Sequence, residues 1–241
     1  MIWALFWYTQ SPFLAALIGV AGILVVSERR LALAASLIAI TAVMKPFALI
    51  MLVPFWRHMK RRTALIGLGT FAALNVAGMV LRSLDLVDVY QALSLSNEYW
   101  FSSGSNISLA SWFNRGEPLA TWIMVGSHAA VLGLLLLYLR GRRAPLSIEL
   151  VAFGLVGLLI SPLSWPHYML IVLPLVWLLW ANQGLPRSTH LAIAIGLVCW
   201  VWAQPLWIYF VGTVFMFVGA AVAIPRKELS RVSPLVADGV T

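Results

Sequence analysis

Long apolar runs separated by short clusters of basic residues are the dominant feature of this sequence. Hydrophobic residues make up 62% of the 241 residues and charged residues only 10%, whereas a soluble globular domain carries about 25% charged residues. So few charges cannot cover a water-facing surface, so the composition excludes a soluble enzyme, and its apolar content excludes intrinsic disorder. The single cysteine excludes a disulfide scaffold. The pattern predicts an all-α, polytopic transmembrane helix bundle.

The basic clusters predict an orientation for this bundle. The net charge is +8, and lysine and arginine collect in the cytoplasmic loops of membrane proteins. One orientation places thirteen of the 16 lysines and arginines on the cytoplasmic side. It makes residues 1–226 a transmembrane bundle with an extracytoplasmic loop at 83–117, followed by a cytoplasmic tail at 227–241. The clusters form no continuous basic face, so we predict no nucleic-acid partner.

Three of the apolar runs are interrupted. The run at 31–56 is broken at Lys45-Pro46, and the run at 148–180 is broken at 161–168. Several of the resulting halves are shorter than the roughly 17 residues that span a bilayer, so they predict broken or re-entrant helices. Irregular backbone at membrane depth is tolerated where it is buried in protein or lines a wet cavity. Each break is therefore a candidate cavity wall, although the break at Gln204-Pro205 is better interpreted as a proline kink.

Lys45 is the polar residue that most needs an explanation. A lysine at membrane depth costs about 2.5–3.5 kcal/mol on insertion scales. A proline follows it, so its helix is expected to end there. A cation at such a turn could bind an anionic lipid head group such as a polyprenyl phosphate. The alternative is a lysine whose side chain extends to the outer interface.

The break at 161–168 is the second polar cluster. It holds Ser164, Trp165, His167 and Tyr168 between two apolar segments. Histidine can transfer a proton or bind a phosphate, and aromatic rings can stack on a sugar. The alternative interpretation is a wet interfacial turn with no ligand.

The loop at 83–117 is the third. Its carboxylates, including those of Asp85 and Asp88, could act as bases toward an acceptor hydroxyl, or they could simply be solvated. The sequence contains no metal-site, P-loop or dinucleotide-binding pattern. We therefore predict no metal and no cofactor.

Four short motifs occur in an order and spacing that agree with one known family. The most specific is Ser161-Pro162-Leu163-Ser164-Trp165-Pro166-His167-Tyr168, which resembles a Ser-Pro-x-Ser-Trp-x-His-His signature. The others are Lys45-Pro46, which resembles a Lys-Pro element; Asn106-Ile107-Ser108-Leu109 with Arg115 downstream, which resembles an Asn-Gln-Ser-Leu loop; and Thr9-Gln10-Ser11-Pro12, which resembles a Gly-Gln turn. Over residues 9–182 the chain thus resembles glycosyltransferase family 87, integral-membrane enzymes of the GT-C superfamily.

The resemblance implies a membrane glycosyltransferase that transfers a hexose from a polyprenyl-phosphate donor. The hexose expected from the resemblance is mannose. The acceptor would be a glycan or glycolipid, and the active face would be extracytoplasmic at the cell membrane. Basic residues would stabilise the leaving phosphate, and a carboxylate would deprotonate the acceptor hydroxyl for transfer with inversion. The substrate-binding residues implied are Gln10, Lys45, Asn106, Ser108, Arg115, Ser164, Trp165, His167 and Tyr168.

The chain departs from the family pattern at Thr9, Ile107 and Tyr168. GT-C enzymes also place a catalytic Asp or Glu in their first extracytoplasmic loop, and the chain is expected to begin after that loop. We therefore assign no catalytic residue.

Two other interpretations stay open. One is a transporter or flippase of lipid-linked sugars, because broken helices with a cation at depth also mark transport pathways. The lack of an internal repeat and of a carboxylate inside the membrane argues against it. The other is an inactive remnant without the catalytic carboxylate.

Overall fold

The structure, a computed structural model, describes residues 2–89, 91, 119–140, 142, 144–161, 166–182, 184–201 and 207–223. Within these residues the regular elements are helices, which confirms the all-α prediction. The α-helices are α1 (Ile2–Val26), α2 (Leu31–Met44), α3 (Val53–Arg57), α4 (Arg61–Leu81), α5 (Leu119–Leu139), α6 (Leu146–Ile160), α7 (Met169–Trp180), α8 (Arg187–Val201) and α9 (Trp207–Val222), with 3₁₀ helices at Pro46–Leu52 and Pro166–Tyr168.

Helix α6 is the centre of the bundle. All its residues from Ile148 to Leu159 are buried, as expected for a helix that is apolar around its whole circumference. It contacts α1, α3, α5, α7, α9 and the first 3₁₀ helix. Helix α2 packs between α1 and α4, and α8 pairs with α9. The helices that contact α6 therefore pack around one buried apolar helix.

One helix of the described residues, α4, is long and apolar enough to cross a membrane. Its 21 residues rise by about 31 Å, close to the ~30 Å hydrocarbon thickness of a bilayer. The shorter apolar helices span 10–17 residues where their side chains are described. The multi-pass arrangement stays a prediction.

The predicted break at Lys45-Pro46 is present. Helix α2 ends at Met44, and Pro46 is the first residue of the 3₁₀ helix. Proline suits the first helical position and forces the preceding residue out of helical geometry, and Lys45 accordingly has φ −136° and ψ 88°. We call residues 46–57, the 3₁₀ helix plus α3, the return limb.

The return limb brings the chain back to the end of the bundle where α2 began. Arg57, its last residue, contacts Glu149 at the start of α6, whereas Lys45 contacts Tyr168 just before α7. A 3₁₀ helix rises by about 2.0 Å per residue against about 1.5 Å for an α-helix, so α2 and the shorter return limb both cover about 21 Å. We call the two ends of this path the basic end, which holds Arg30 and Arg57, and the lysine end.

The prediction of a turn at Thr9-Gln10 is wrong. Helix α1 continues from Ile2 to Val26 with Pro12 inside it. A proline removes one backbone donor and bends a helix, but the contacts of α1 with α2 and α7 keep this helix continuous. The predicted break at Gln204-Pro205, residues 90 and 92–117 of the predicted loop, and the tail at 227–241 lie outside the described residues.

Candidate functional site at the lysine end

Lys45 is buried where α2 ends. The residue is only 4% exposed. Its ammonium Nζ donates a 2.8 Å hydrogen bond to the Tyr168 hydroxyl and lies 4.1 Å from the centroid of that ring. Its backbone N–H donates to the Thr41 carbonyl, and its own carbonyl accepts from Ala48. Lys45 is therefore held in place by both its backbone and its side chain.

Two further aromatic rings pack against Tyr168. Tyr168 is buried and stacks on Phe47 of the return limb, with ring centroids 6.0 Å apart. His167 meets the edge of Tyr168, with ring centroids 4.7 Å apart. Lys45 and Tyr168 are 123 positions apart in the chain, so the fold joins the two breaks into one cluster.

A glycine on α6 allows the return limb to approach closely enough for this contact. A Cβ at Gly157 would lie 2.8 Å from the carbonyl oxygen of Phe47, closer than packed atoms come. Gly154, one turn earlier, has its nearest neighbour at 3.4 Å, the Cγ1 atom of Val172. The position of Phe47, and through it that of the lysine, therefore depends on the missing side chain at Gly157.

Gln10 lies on α1 at the level of this cluster. Helices α1 and α7 run parallel, because Gly19 packs against Pro174 and Gly22 packs against Leu175 and Leu178. The same register brings residues 10 and 11 level with the second 3₁₀ helix, which α1 contacts. Gln10 is half-buried there.

The other substrate-binding residues implied by the resemblance are not placed by the structure. Asn106, Ser108, Arg115, Ser164 and Trp165 lie outside the described residues. Of the nine, the structure joins three, Lys45, His167 and Tyr168, and places Gln10 beside them.

The carboxylates of Asp85 and Asp88 have a structural role in this fold. The backbone N–H of Asp85 donates to Asp88 Oδ2 at 2.9 Å, and that of Asp88 donates to Asp85 Oδ1 at 2.8 Å. This reciprocal pair is a capping box at the start of the helical segment 86–89. The geometry thus favours capping over the alternative of an acceptor base.

One buried carboxylate, that of Glu149, was not predicted from the sequence. Glu149 is 1% exposed and accepts two hydrogen bonds from Arg57, at 2.9 and 3.2 Å, while His58 Nε2 lies 3.5 Å away. Arg57 also donates to the Leu139 carbonyl. This carboxylate is already bound to an arginine. An acid in the first turn after Pro145 signals a helix start, and that was the available clue.

The lysine end can bind an anion. A buried ammonium and a phenol hydroxyl that accepts from it form a compact donor pair, since the phenol proton is not used in their mutual bond. Among the described residues, no group of three His, Cys, Asp or Glu side chains is placed to hold a metal ion.

The model of glycosyltransferase family 87 matches residues 1–162. The match includes Gln10 and Lys45 and ends inside the 161–168 stretch. No curated protein and no solved structure matches the chain. Because the match covers 162 of the 241 residues, the chain belongs to glycosyltransferase family 87.

Proposed function

We propose that this glycosyltransferase is a multi-pass membrane enzyme that transfers mannose from a polyprenyl-phosphate donor to a glycan or glycolipid acceptor. The transfer takes place on the extracytoplasmic side of the cell membrane. The observation that carries the proposal is the buried contact between Lys45 and Tyr168, which joins the two helix breaks.

The Lys45 ammonium would stabilise the phosphate that leaves the sugar. The leaving group is an anion, and a preorganised cation in a water-poor site stabilises such a charge strongly. Tyr168 keeps the ammonium in position while the site is empty. When the phosphate is bound, the ammonium and the phenol proton both donate to its oxygens.

Further residues complete the site in this proposal. His167 donates to the phosphate, Arg115 adds a second positive charge, and Trp165 stacks on the sugar. Gln10, Asn106, Ser108 and Ser164 supply hydrogen bonds to the substrates. The base that activates the acceptor hydroxyl is not assigned to a residue of this chain.

The depth of Lys45 supports an extracytoplasmic active face. The positive-inside rule places the basic end at the cytoplasmic surface. Helix α2 has 14 residues, which carry Lys45 about 21 Å from that end, past the midplane of a ~30 Å hydrocarbon layer. The lysine would therefore lie nearer to a lipid-linked donor in the outer leaflet than to one in the inner leaflet.

A binding and transfer experiment tests the proposal. Membranes that contain the chain are incubated with a photoreactive polyprenyl-phosphate-mannose, and crosslinking and sugar transfer are measured separately. We expect Lys45→Ala and His167→Ala each to lower transfer at least tenfold. Lys60→Ala, which removes an exposed lysine at the basic end, is the matched control and should leave both signals unchanged. Unchanged transfer in both site variants would refute the site assignment.

The transporter interpretation predicts a different outcome of the same preparation. The buried carboxylate of Glu149 gives it one supporting observation, but its bidentate contact with Arg57 is typical of a structural pair. Flux of a labelled lipid-linked sugar across liposomes, without covalent transfer, would favour transport. An inactive remnant would transfer no sugar, whether or not it crosslinks the donor.

A further inference from the structure

A cavity lies at the basic end, away from Lys45. It has a volume of about 330 Å³, within the usual range of ligand sites. Helices α1, α6 and α7 form its walls, and apolar side chains dominate the lining. Representative residues are Gly22, Val26, Val151 and Leu178, with Ser147 and Asn182 as polar members.

Arginines follow both chain segments that end at the mouth of this cavity. Val26 and Asn182 are exposed, so the cavity opens between the ends of α1 and α7. Arg29 follows Val26 within about 11 Å of backbone, and Arg187 follows Asn182 within about 18 Å, by the maximum reach of an extended chain. Both arginines are exposed, and one exposed acid, Glu28, lies in the same turn.

The turn between α1 and α2 holds its arginines beside that mouth. The N–H of Glu28 donates to the Val25 carbonyl and that of Arg29 donates to the Leu24 carbonyl, each at 3.1 Å. This is the Schellman arrangement that closes a helix C-terminus. Glu28 has φ 50° and Arg30 has φ 49°, a left-handed conformation that is unfavourable for residues other than glycine. The turn is therefore tied back onto the last turn of α1 despite its backbone strain.

We propose that this cavity binds one acyl chain of an anionic glycerophospholipid, whose phosphate is held by Arg29 and Arg30. The apolar lining fits a hydrocarbon chain, and guanidinium groups bind phosphate oxygens through paired hydrogen bonds. A soluble phosphate would satisfy the arginines but would leave the cavity empty. The proposal rests on the membrane location proposed above and is independent of the transfer reaction.

Native mass spectrometry of the full chain tests this site. The protein is purified in detergent and titrated with dioleoyl-phosphatidylglycerol or with dioleoyl-phosphatidylcholine, which have the same acyl chains. We expect one phosphatidylglycerol to be retained with at least tenfold preference over phosphatidylcholine. The double variant Arg29→Gln/Arg30→Gln should reduce that preference to less than threefold. The cavity-filling variant Leu178→Trp should lower retention of both lipids.

A matched variant separates this site from general attraction to positive charge. Arg61→Gln/Arg62→Gln removes two exposed arginines at the start of α4, a helix that packs on α2, α3 and the first 3₁₀ helix. It should keep the full preference, and equal losses in both double variants would overturn the proposal. Equal retention of the two lipids, or equal competition by inorganic phosphate, would also overturn it.

Crosslinking in the unmodified chain protects the test against variants that fail to fold. A phosphatidylglycerol with a diazirine in its acyl chain is irradiated with the protein, and labelled peptides are mapped. Label in α1, α6 and α7 supports the site. Label confined to other helices, or a cavity occupied by another segment of the chain and therefore unlabelled, rejects it. Loss of sugar transfer with normal lipid retention would count against the proposed function alone.

Discussion

Two cations of the described residues lie at opposite ends of the bundle, the buried Lys45 and the half-buried Arg57, and they have different partners. At the basic end, Arg57 makes two hydrogen bonds to the carboxylate of Glu149. At the lysine end, the short hydrogen bond of Lys45 goes to a phenol, Tyr168. A carboxylate neutralises its arginine, so a substrate anion would have to displace a bound charge there. A phenol is neutral, so this hydrogen bond brings no negative charge to the lysine.

The difference separates a structural contact from a binding contact. Both cations lie in breaks or ends of helices, and the sequence pattern treats them alike. The chemistry of the partner therefore supports the proposal that Lys45, and not Arg57, binds the substrate.

The largest expected effect is the loss of the carboxylate at the basic end. Removing one partner of a buried ion pair costs about 3–5 kcal/mol, and Arg57 keeps partial contact with solvent. We therefore expect Glu149→Ala to lower the free energy of unfolding by about 3 kcal/mol, measured by denaturant titration in detergent micelles. Glu28→Ala, which removes an exposed acid, is the control. A loss below about 1 kcal/mol would show that the basic end is not held by this pair.

The next effect concerns the glycine that admits the return limb. Gly157→Ala would place a Cβ 2.8 Å from the Phe47 carbonyl, and we expect it to cost about 2 kcal/mol of stability and to lower sugar transfer. Gly154→Ala is the matched control on the same helix, with its nearest neighbour at 3.4 Å. It should be neutral or stabilising by up to about 1 kcal/mol, because alanine favours a helix. Equal behaviour of the two variants would contradict the role of Gly157.

The sequence predicted the breaks at the lysine end but not the contact between them. Lys45-Pro46 predicted a helix end because a proline restricts the residue before it. No local pattern indicates that Lys45 meets Tyr168 at the other break, since this contact depends on how α6 packs against the return limb. The pairing of Glu149 with Arg57 was not predicted, because Arg57 was interpreted only as part of a basic cluster between apolar runs. The motif at Thr9-Gln10 predicts a turn, but α1 continues as a helix through these residues.

A smaller effect isolates the phenol hydroxyl. Tyr168→Phe keeps the ring against Lys45 and Phe47 and removes only the hydrogen-bonding oxygen. Hydrogen bonds to charged groups contribute about 1.5–3 kcal/mol, so we expect transfer to fall about tenfold. Tyr138 is the matched residue at the basic end, where its hydroxyl accepts from Arg142 and donates to the Ala221 carbonyl. Tyr138→Phe should lower stability without lowering transfer, and a tenfold loss there would remove the distinction between the two ends.

The smallest effect relieves the strained turn at the basic end. Glu28 has φ 50°, and glycine adopts this conformation without the steric cost of about 1–2 kcal/mol that other residues incur. Part of that gain is lost to the greater freedom of glycine in the unfolded chain. Glu28→Gly should therefore raise the unfolding free energy by up to about 1 kcal/mol and leave sugar transfer unchanged. A change in transfer would mean that the two ends are coupled.

The return limb sets the distance between Lys45 and Arg57. Lys45 lies just before its first residue and Arg57 is its last, and both are anchored to other helices. Because its 3₁₀ part is already the more extended helical form, removing one of those residues would shorten its reach by about 2 Å. The shorter limb would have to release one anchor. The chain length at 46–52 therefore determines how far from the basic end the lysine lies.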